Sequence, residues 1–165
     1  MSSAGIIEAP YSARYIPSSG SEGPLSYVEE INKTNGILAS QLSLIGALEA
    51  ISELSINHQK SNWDGYGAQP ISEAACNDAK RFLTMLPEAV PIPEIVPEPD
   101  GNIALEWYIS KYEHFFISFS GNGVVTFVGM FGKLVRSKGI EYFFASIPLR
   151  ILHEIRQIIE LGSHK

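Results

Sequence analysis

Four runs between residues 102 and 145, "NIALEWYI", "EHFFISFS", "GVVTFVGMF" and "GIEYFFA", constrain this chain more than anything else in it. Each is rich in the β-branched and aromatic residues that suit a pleated, half-buried surface. Short connections with glycine or polar residues join them, and "PDGN" and "SGNG" are turn signals. Parallel strands would need crossovers of a dozen or more residues, so the spacing predicts an antiparallel meander. In the first run Ile103, Leu105, Trp107 and Ile109 fall on one face, against Ala104, Glu106 and Tyr108 on the other. In the next, Phe115, Ile117 and Phe119 oppose His114, Phe116 and Ser118. One face is therefore core and the other mixed. A short edge strand is expected around Pro93 to Glu98, because edges tolerate proline, which makes a sheet of four to five strands.

A sheet with one apolar face must be covered, and three segments have helical character. From Ile37 to about residue 59, Leu38, Leu42, Ile45, Leu48, Ile51 and Leu54 recur at three and four residues, as an amphipathic helix requires. A second helix starts at Ser72 as N-cap, carries Ala75, Ala79, Phe82, Leu83 and Leu86, and stops at Pro87. The third, in "SIPLRILHEIRQIIELG", has Ser146 as N-cap, Pro148 at its first position, Leu152, Ile155 and Ile159 on one face, and Gly162 at its C-terminus. The predicted fold class is α+β in two layers: two N-terminal helices, a four- to five-stranded antiparallel β-meander and a C-terminal helix. Residues 37–165 form its single domain. Residues 1–36, with Pro10, Pro17, Pro24 and "PSSGSEGP", have the composition of a flexible arm in which Tyr11, Tyr15, Ile16 and Tyr27 can anchor on a partner or on the domain itself.

Composition narrows function mainly by exclusion. With 45% hydrophobic and 18% charged residues the chain can build a packed core, which rules out global disorder. Lys and Arg number 12 against 18 Asp and Glu, and the one loose basic group, Lys133, Arg136 and Lys138, is expected in a solvated loop between strands. That balance argues against nucleic acid and anionic membranes as partners, since both are bound by neutralising phosphate. Cys76 is the lone cysteine, so neither an intramolecular disulfide nor a multi-cysteine zinc site is available. His58, His114, His153 and His164 have no metal-ligand spacing, and no glycine-rich loop stands between a strand and a helix. No metal and no cofactor are expected. "MSSAGIIEAPYSARY" lacks a signal-peptide pattern and no apolar run reaches the length of a membrane span, so a cytoplasmic location is expected.

Two places hold residues with chemistry. "SNWDGYGAQPIS", residues 61 to 72, links the first two helices and is longer than helix pairs usually need. Asp64-Gly65 is a turn pair, Gly67 allows a second positive φ, and Trp63 and Tyr66 can fold back as apolar plugs. The same residues could instead wall a recognition pocket with Asp64 as its polar floor. Glu106 beside Trp107 lies mid-strand, and Glu106, His114 and Asp64 are the one acid–base set the chain can assemble; no second feature supports it as catalytic. The candidate binding residues are Trp63, Asp64, Tyr66, Glu106, Trp107 and His114.

"NWDGYGAQPIS", followed about thirty residues later by "PDGNIALEW", resembles an uncharacterised family of small bacterial proteins that share an N-W-D-G-Y-G-A loop and a hairpin ending in Leu-Glu-Trp. The likeness spans about residues 60 to 160. It implies that Trp63, Asp64, Gly65, Tyr66, Gly67, Glu106 and Trp107 form a shared element, and it implies no activity. The expected function is a non-enzymatic module that binds another protein, in the manner of an antitoxin-, immunity- or inhibitor-like factor. The acidic balance and the aromatic-rich arm motivate it, aromatics being favoured interface anchors. Two alternatives stand beside it: a small hydrolase or transferase using Asp64, Glu106 and His114, and a homo-oligomeric structural protein associating through an uncovered strand such as "EYFFA".

Overall fold

A computed structural model describes residues 24–164, with side chains from Val28 onward. Its elements are α1 (Pro24–Asn57), α2 (Glu73–Met85), β1 (Glu94–Pro97), β2 (Ile103–Ser110), β3 (Glu113–Phe119), β4 (Val124–Phe131), β5 (Arg136–Tyr142) and α3 (Leu149–Ser163). The strands form one sheet in the order β1-β2-β3-β4-β5, every neighbouring pair antiparallel. This is the α+β meander expected from the run lengths. Helix α2 lies over β2 and β3, and α3 over β2, β3 and β4. Between the layers sit Phe82, Leu83, Ile103, Leu105, Phe115, Ile117, Phe119, Phe127, Ile151 and Ile155, all with essentially no exposure.

Local signals positioned most boundaries. Ser72 caps α2 by accepting from the Ala75 N–H at 3.3 Å, and Leu86, ahead of Pro87, closes it. At the other end of the chain α3 starts at Leu149 with Pro148 as a cap that offers no side-chain oxygen, and Gly162 lies inside the helix rather than at its end. Ser146 is thus not the N-cap. Strand β5 begins at Arg136, earlier than "GIEYFFA" suggests, so Arg136 and Lys138 belong to a strand and not to a loop. The strand ends at Tyr142 because Phe143 turns into the core against Phe82 and Phe119.

Helix α1 departs furthest from expectation. It begins at Pro24, so residues 24–36 of the expected arm are helical; residues 1–23, with Tyr11, Tyr15 and Ile16, lie outside the described residues, as does the side chain of Tyr27. Pairwise contacts divide the chain into Met1–Thr34 and Asn35–Lys165. In the first unit the described side chains, Val28 to Thr34, are all exposed. In the second, Ala47 and Ile51 are buried in the core while Leu38, Leu42 and Ile45 stand in solvent, so the six apolar positions do not share a face. The reason is geometric: each three-residue step falls about 60° short of a full turn, and the steps from Leu42 to Leu54 wind around the helix. Nor is this helix too short or too polar for a membrane span, contrary to expectation. Val28–Asn57 is long and apolar enough to cross a membrane by length and composition, with a mean hydropathy of 1.4 over 18 residues and 11% of that window buried. Scattered polar residues such as Ser40, Gln41, Ser43 and Glu49 break the run while leucine, isoleucine and alanine keep its average high, which hides it from a search for unbroken stretches.

Candidate functional site

The loop from Ser61 to Ser72 is a set of backbone turns held by its own polar side chains. Gly65 and Gly67 take φ of 78° and 96°, and Asn62 itself sits at 64°. The Asp64 carboxylate accepts from the N–H groups of Tyr66 at 2.8 Å and Ala68 at 3.1 Å, and the Asn62 side chain accepts from the Gly67 N–H at 2.7 Å. Those donors, Tyr66 first, hold the Asp64 carboxyl below its ordinary range. A carboxylate so engaged is a turn-former and a poor proton acceptor. Trp63 folds back as expected, its indole N–H donating to the Gln69 carbonyl at 2.7 Å and its ring meeting the His58 ring edge-on at 4.5 Å. Tyr66 does not: it is 95% exposed at the loop tip.

This loop is stitched to the β1–β2 turn. Gln69 N–H donates to the Pro99 carbonyl and Ser72 N–H to the Gly101 carbonyl, each at 2.8 Å. Gly101, at φ 88°, is packed so closely that a Cβ there would lie 2.6 Å from the Pro70 oxygen. The two motifs "NWDGYGAQPIS" and "PDGN", thirty residues apart in the chain, therefore touch.

Glu106 and His114 lie elsewhere, on the face of the sheet that α2 and α3 do not cover. His114 Nδ1 is 3.2 Å from Glu106 Oε1, and the Tyr108 ring meets the His114 ring edge-on. Both partners of the pair are partly exposed. A carboxylate can orient an imidazole for proton transfer, but Asp64 is held in its own loop by the two N–H groups on its Oδ1, while Glu106 and His114 pair on the sheet, so the three residues do not form one acid–base set. Trp107, on the opposite face, is buried, donates its indole N–H to the Pro91 carbonyl at 2.8 Å and packs on Phe115; it is a core residue and not a contact surface.

The composition of the uncovered face was not anticipated. The register runs one continuous row across all five strands, Glu94, Glu106, Phe116, Val128 and Lys138. A second row is Tyr108, His114, Met130 and Arg136. The β1–β2 side of this face is acidic, the centre apolar and the β5 edge basic. Ile140 and Tyr142 of β5, 65% and 70% exposed, extend the apolar part, and a shallow cleft of about 480 Å³ opens among Val128, Met130, Arg136 and Lys138. On the acidic side, Glu98 reaches over the sheet to accept from the Ser118 hydroxyl. Burial raises the Glu98 carboxyl above its ordinary range, against the lowering effect of that hydroxyl. At the end of α3, Glu94, Glu106, Tyr108 and Ile159 border a second cleft, of about 470 Å³. Alternation within the strands signals a mixed face; the charge gradient across it appears only once the register is known. Cys76 is buried in α2, which raises its thiol and leaves it shielded. Among the described residues no three His, Cys, Asp or Glu gather as a metal site would require. Compared with protein families, curated proteins and solved structures, the chain matches none.

Proposed function

We propose that this chain is a non-enzymatic protein-binding module whose docking surface is the uncovered face of the sheet, in the manner of an antitoxin-, immunity- or inhibitor-like factor. The observation that carries the reading is the row Glu94, Glu106, Phe116, Val128, Lys138, an apolar strip bounded by opposite charges. Exposed Tyr108, Val128, Ile140 and Tyr142 supply the apolar and aromatic area that interface centres use, and the flanking charges orient a partner and exclude wrong ones. The matching partner surface is an apolar strip with basic groups at one end and acidic groups at the other. A cytoplasmic setting is the one we propose for this chain, in keeping with a single cysteine, Cys76, that is free and buried. The hydrolase or transferase reading is the less supported one, because the Glu106–His114 pair has no hydrogen-bonded nucleophile beside it among the described residues and Asp64 is committed to its turn.

The test is affinity purification from native cells of three tagged forms: wild type, Val128→Asp with Ile140→Asp, and Tyr66→Ala, each first checked for folding by circular dichroism. One stoichiometric protein should co-purify with wild type and Tyr66→Ala and be lost from the doubly substituted face. Equal recovery by the face variant, or no stoichiometric protein with wild type, refutes the proposal.

A further inference from the structure

The two edges of the sheet differ in what they offer. At β1 the Glu98 N–H bonds the Asn102 carbonyl, so Glu94 and Val96 face β2 and Pro93, Ile95 and Pro97 point outward. The prolines carry no N–H, which leaves Ile95 as the one donor on that edge. Strand β5 has no such protection. The Phe131 N–H bonds the Val135 carbonyl at 3.0 Å and the Phe143 N–H bonds the Gly123 carbonyl at 2.7 Å, which brackets the β4–β5 ladder. Antiparallel ladders repeat every two residues, so Ser137, Gly139 and Glu141 face β4, while Arg136, Lys138, Ile140 and Tyr142 direct both N–H and C=O to the free edge. Among the described residues, only the Lys138 carbonyl of that set has a partner, the Arg150 guanidinium at 3.3 Å.

We infer that this edge is a self-association site at which β5 of a second copy of the chain pairs antiparallel and extends the sheet across both copies. Self-complementarity selects the occupant. Outward groups meet only if even-numbered residues face even-numbered ones, and a pair centred on Gly139 uses all four: Arg136 faces Tyr142 of the other copy and Lys138 faces its Ile140. That gives about eight main-chain hydrogen bonds, two for each facing pair. A carbonyl can accept twice, so Arg150 keeps its bond to Lys138. Each cation then lies against an aromatic or aliphatic side chain and none against another cation. Centring on Lys138 would oppose lysine to lysine, and centring on Ile140 leaves Arg136 beyond the end of the facing strand. The favoured register also continues past the strand ends, where Leu134, 94% exposed, meets Phe144 of the other copy, 64% exposed and stacked on Tyr142. On the helix side Gly139 places no side chain at the axis, and each Arg150 brings its own Glu141 at 3.7 Å.

Main-chain bonds supply most of the affinity in such pairings and the side chains fix the register. The contact is one strand wide, which puts it at the reversible end of specific interfaces. It stands apart from the protein-partner reading, since a paired edge leaves the uncovered face of the sheet open and continues its rows into the second copy.

The experiment is sedimentation of the full chain from about 10 to 500 μM, a range set by a one-strand contact, with backbone amide exchange read residue by residue by NMR at both ends of it. Wild type should pass from monomer to dimer, and the Lys138, Ile140 and Tyr142 amides should gain protection with concentration while the Ile95 amide does not. Ile140→Pro removes an outward donor and spares the β4–β5 ladder, in which the Ile140 N–H takes no part. Its dimer affinity should fall about thirtyfold or more, one hydrogen bond being lost on each copy. Ile140→Val keeps the N–H and the branched side chain and should match wild type. A wild type that is monomeric at the highest concentration overturns the inference and leaves the edge to a strand of another protein. So does a dimer whose β5 amides exchange at the same rate at both concentrations, a reading on wild type that stands even if Ile140→Pro misfolds.

Discussion

Replacing Trp63 by alanine separates the two roles open to the motif loop. The indole is partly buried against the core, its N–H holds the Gln69 carbonyl at 2.7 Å, and its ring meets His58 at 4.5 Å. Deleting a fully buried large aromatic costs about 3–5 kcal/mol, so a partly buried one should cost about 2. The lost hydrogen bond adds about 1 kcal/mol, for a total near 3 kcal/mol. With a urea m-value of about 1.5 kcal/mol/M for a domain of this size, the midpoint should fall by about 2 M at unchanged slope. Tyr66→Ala is the internal control: its ring is 95% exposed, so the midpoint should stay within about 0.5 kcal/mol of wild type. Urea unfolding followed by circular dichroism measures both. A Trp63→Ala chain within about 0.5 kcal/mol of wild type would refute the assignment of the loop as a structural plug. So would a Tyr66→Ala chain that loses more than about 1 kcal/mol.

Two further perturbations probe the packing that presents the sheet face. Gly121→Ala forces a Cβ to within 2.5 Å of the Ala74 Cβ at a φ of 80°, and should cost about 2–4 kcal/mol, whereas Gly65→Ala, at φ 78° in open space, should cost about 1; comparing their melting temperatures isolates the clash from the backbone strain. Burial raises the Glu98 carboxyl, so the folded state holds its proton more tightly than the unfolded chain, and stability should fall as pH rises from the ordinary glutamate range through the raised value. Glu98→Gln should remove that fall, its advantage over wild type being present at neutral pH and vanishing in acid; an advantage independent of pH in paired urea titrations would contradict the burial argument.

Much of the molecule is legible in single residues and their spacing. The meander follows from run length and gap length, which set hydrogen-bonding geometry without reference to anything distant. Ser72 and Pro87 bracket α2 because capping and the missing N–H of proline act within one turn. The alternation of Leu105 and Trp107 with Glu106 is a two-residue period that any extended chain must obey. Terminal details read less well. Phe143 enters the core instead of extending β5, and Pro148 caps α3 in place of Ser146. For Phe143 burial outweighed the local preference for an extended strand.

The candidate site divides along the same line. Asp64, Gly65 and Gly67 form a turn that their own chemistry dictates, whatever surrounds them. Trp63 is held by its near neighbours His58 and Gln69, and His114 meets Glu106 within one hairpin, but that the loop is sewn to Pro99 and Gly101 depends on contacts between segments about thirty residues apart. The same holds for α1. Its apolar positions are written in the sequence, but which stripe is buried depends on where α2 and the core stand, and periodicity alone cannot distinguish a stripe that meets its own domain from one left exposed. Local sequence thus determined the elements, since hydrogen bonding and side-chain period act over a few residues. The tertiary structure decided which surfaces remain open, because burial is a property of neighbours that sequence distance does not encode.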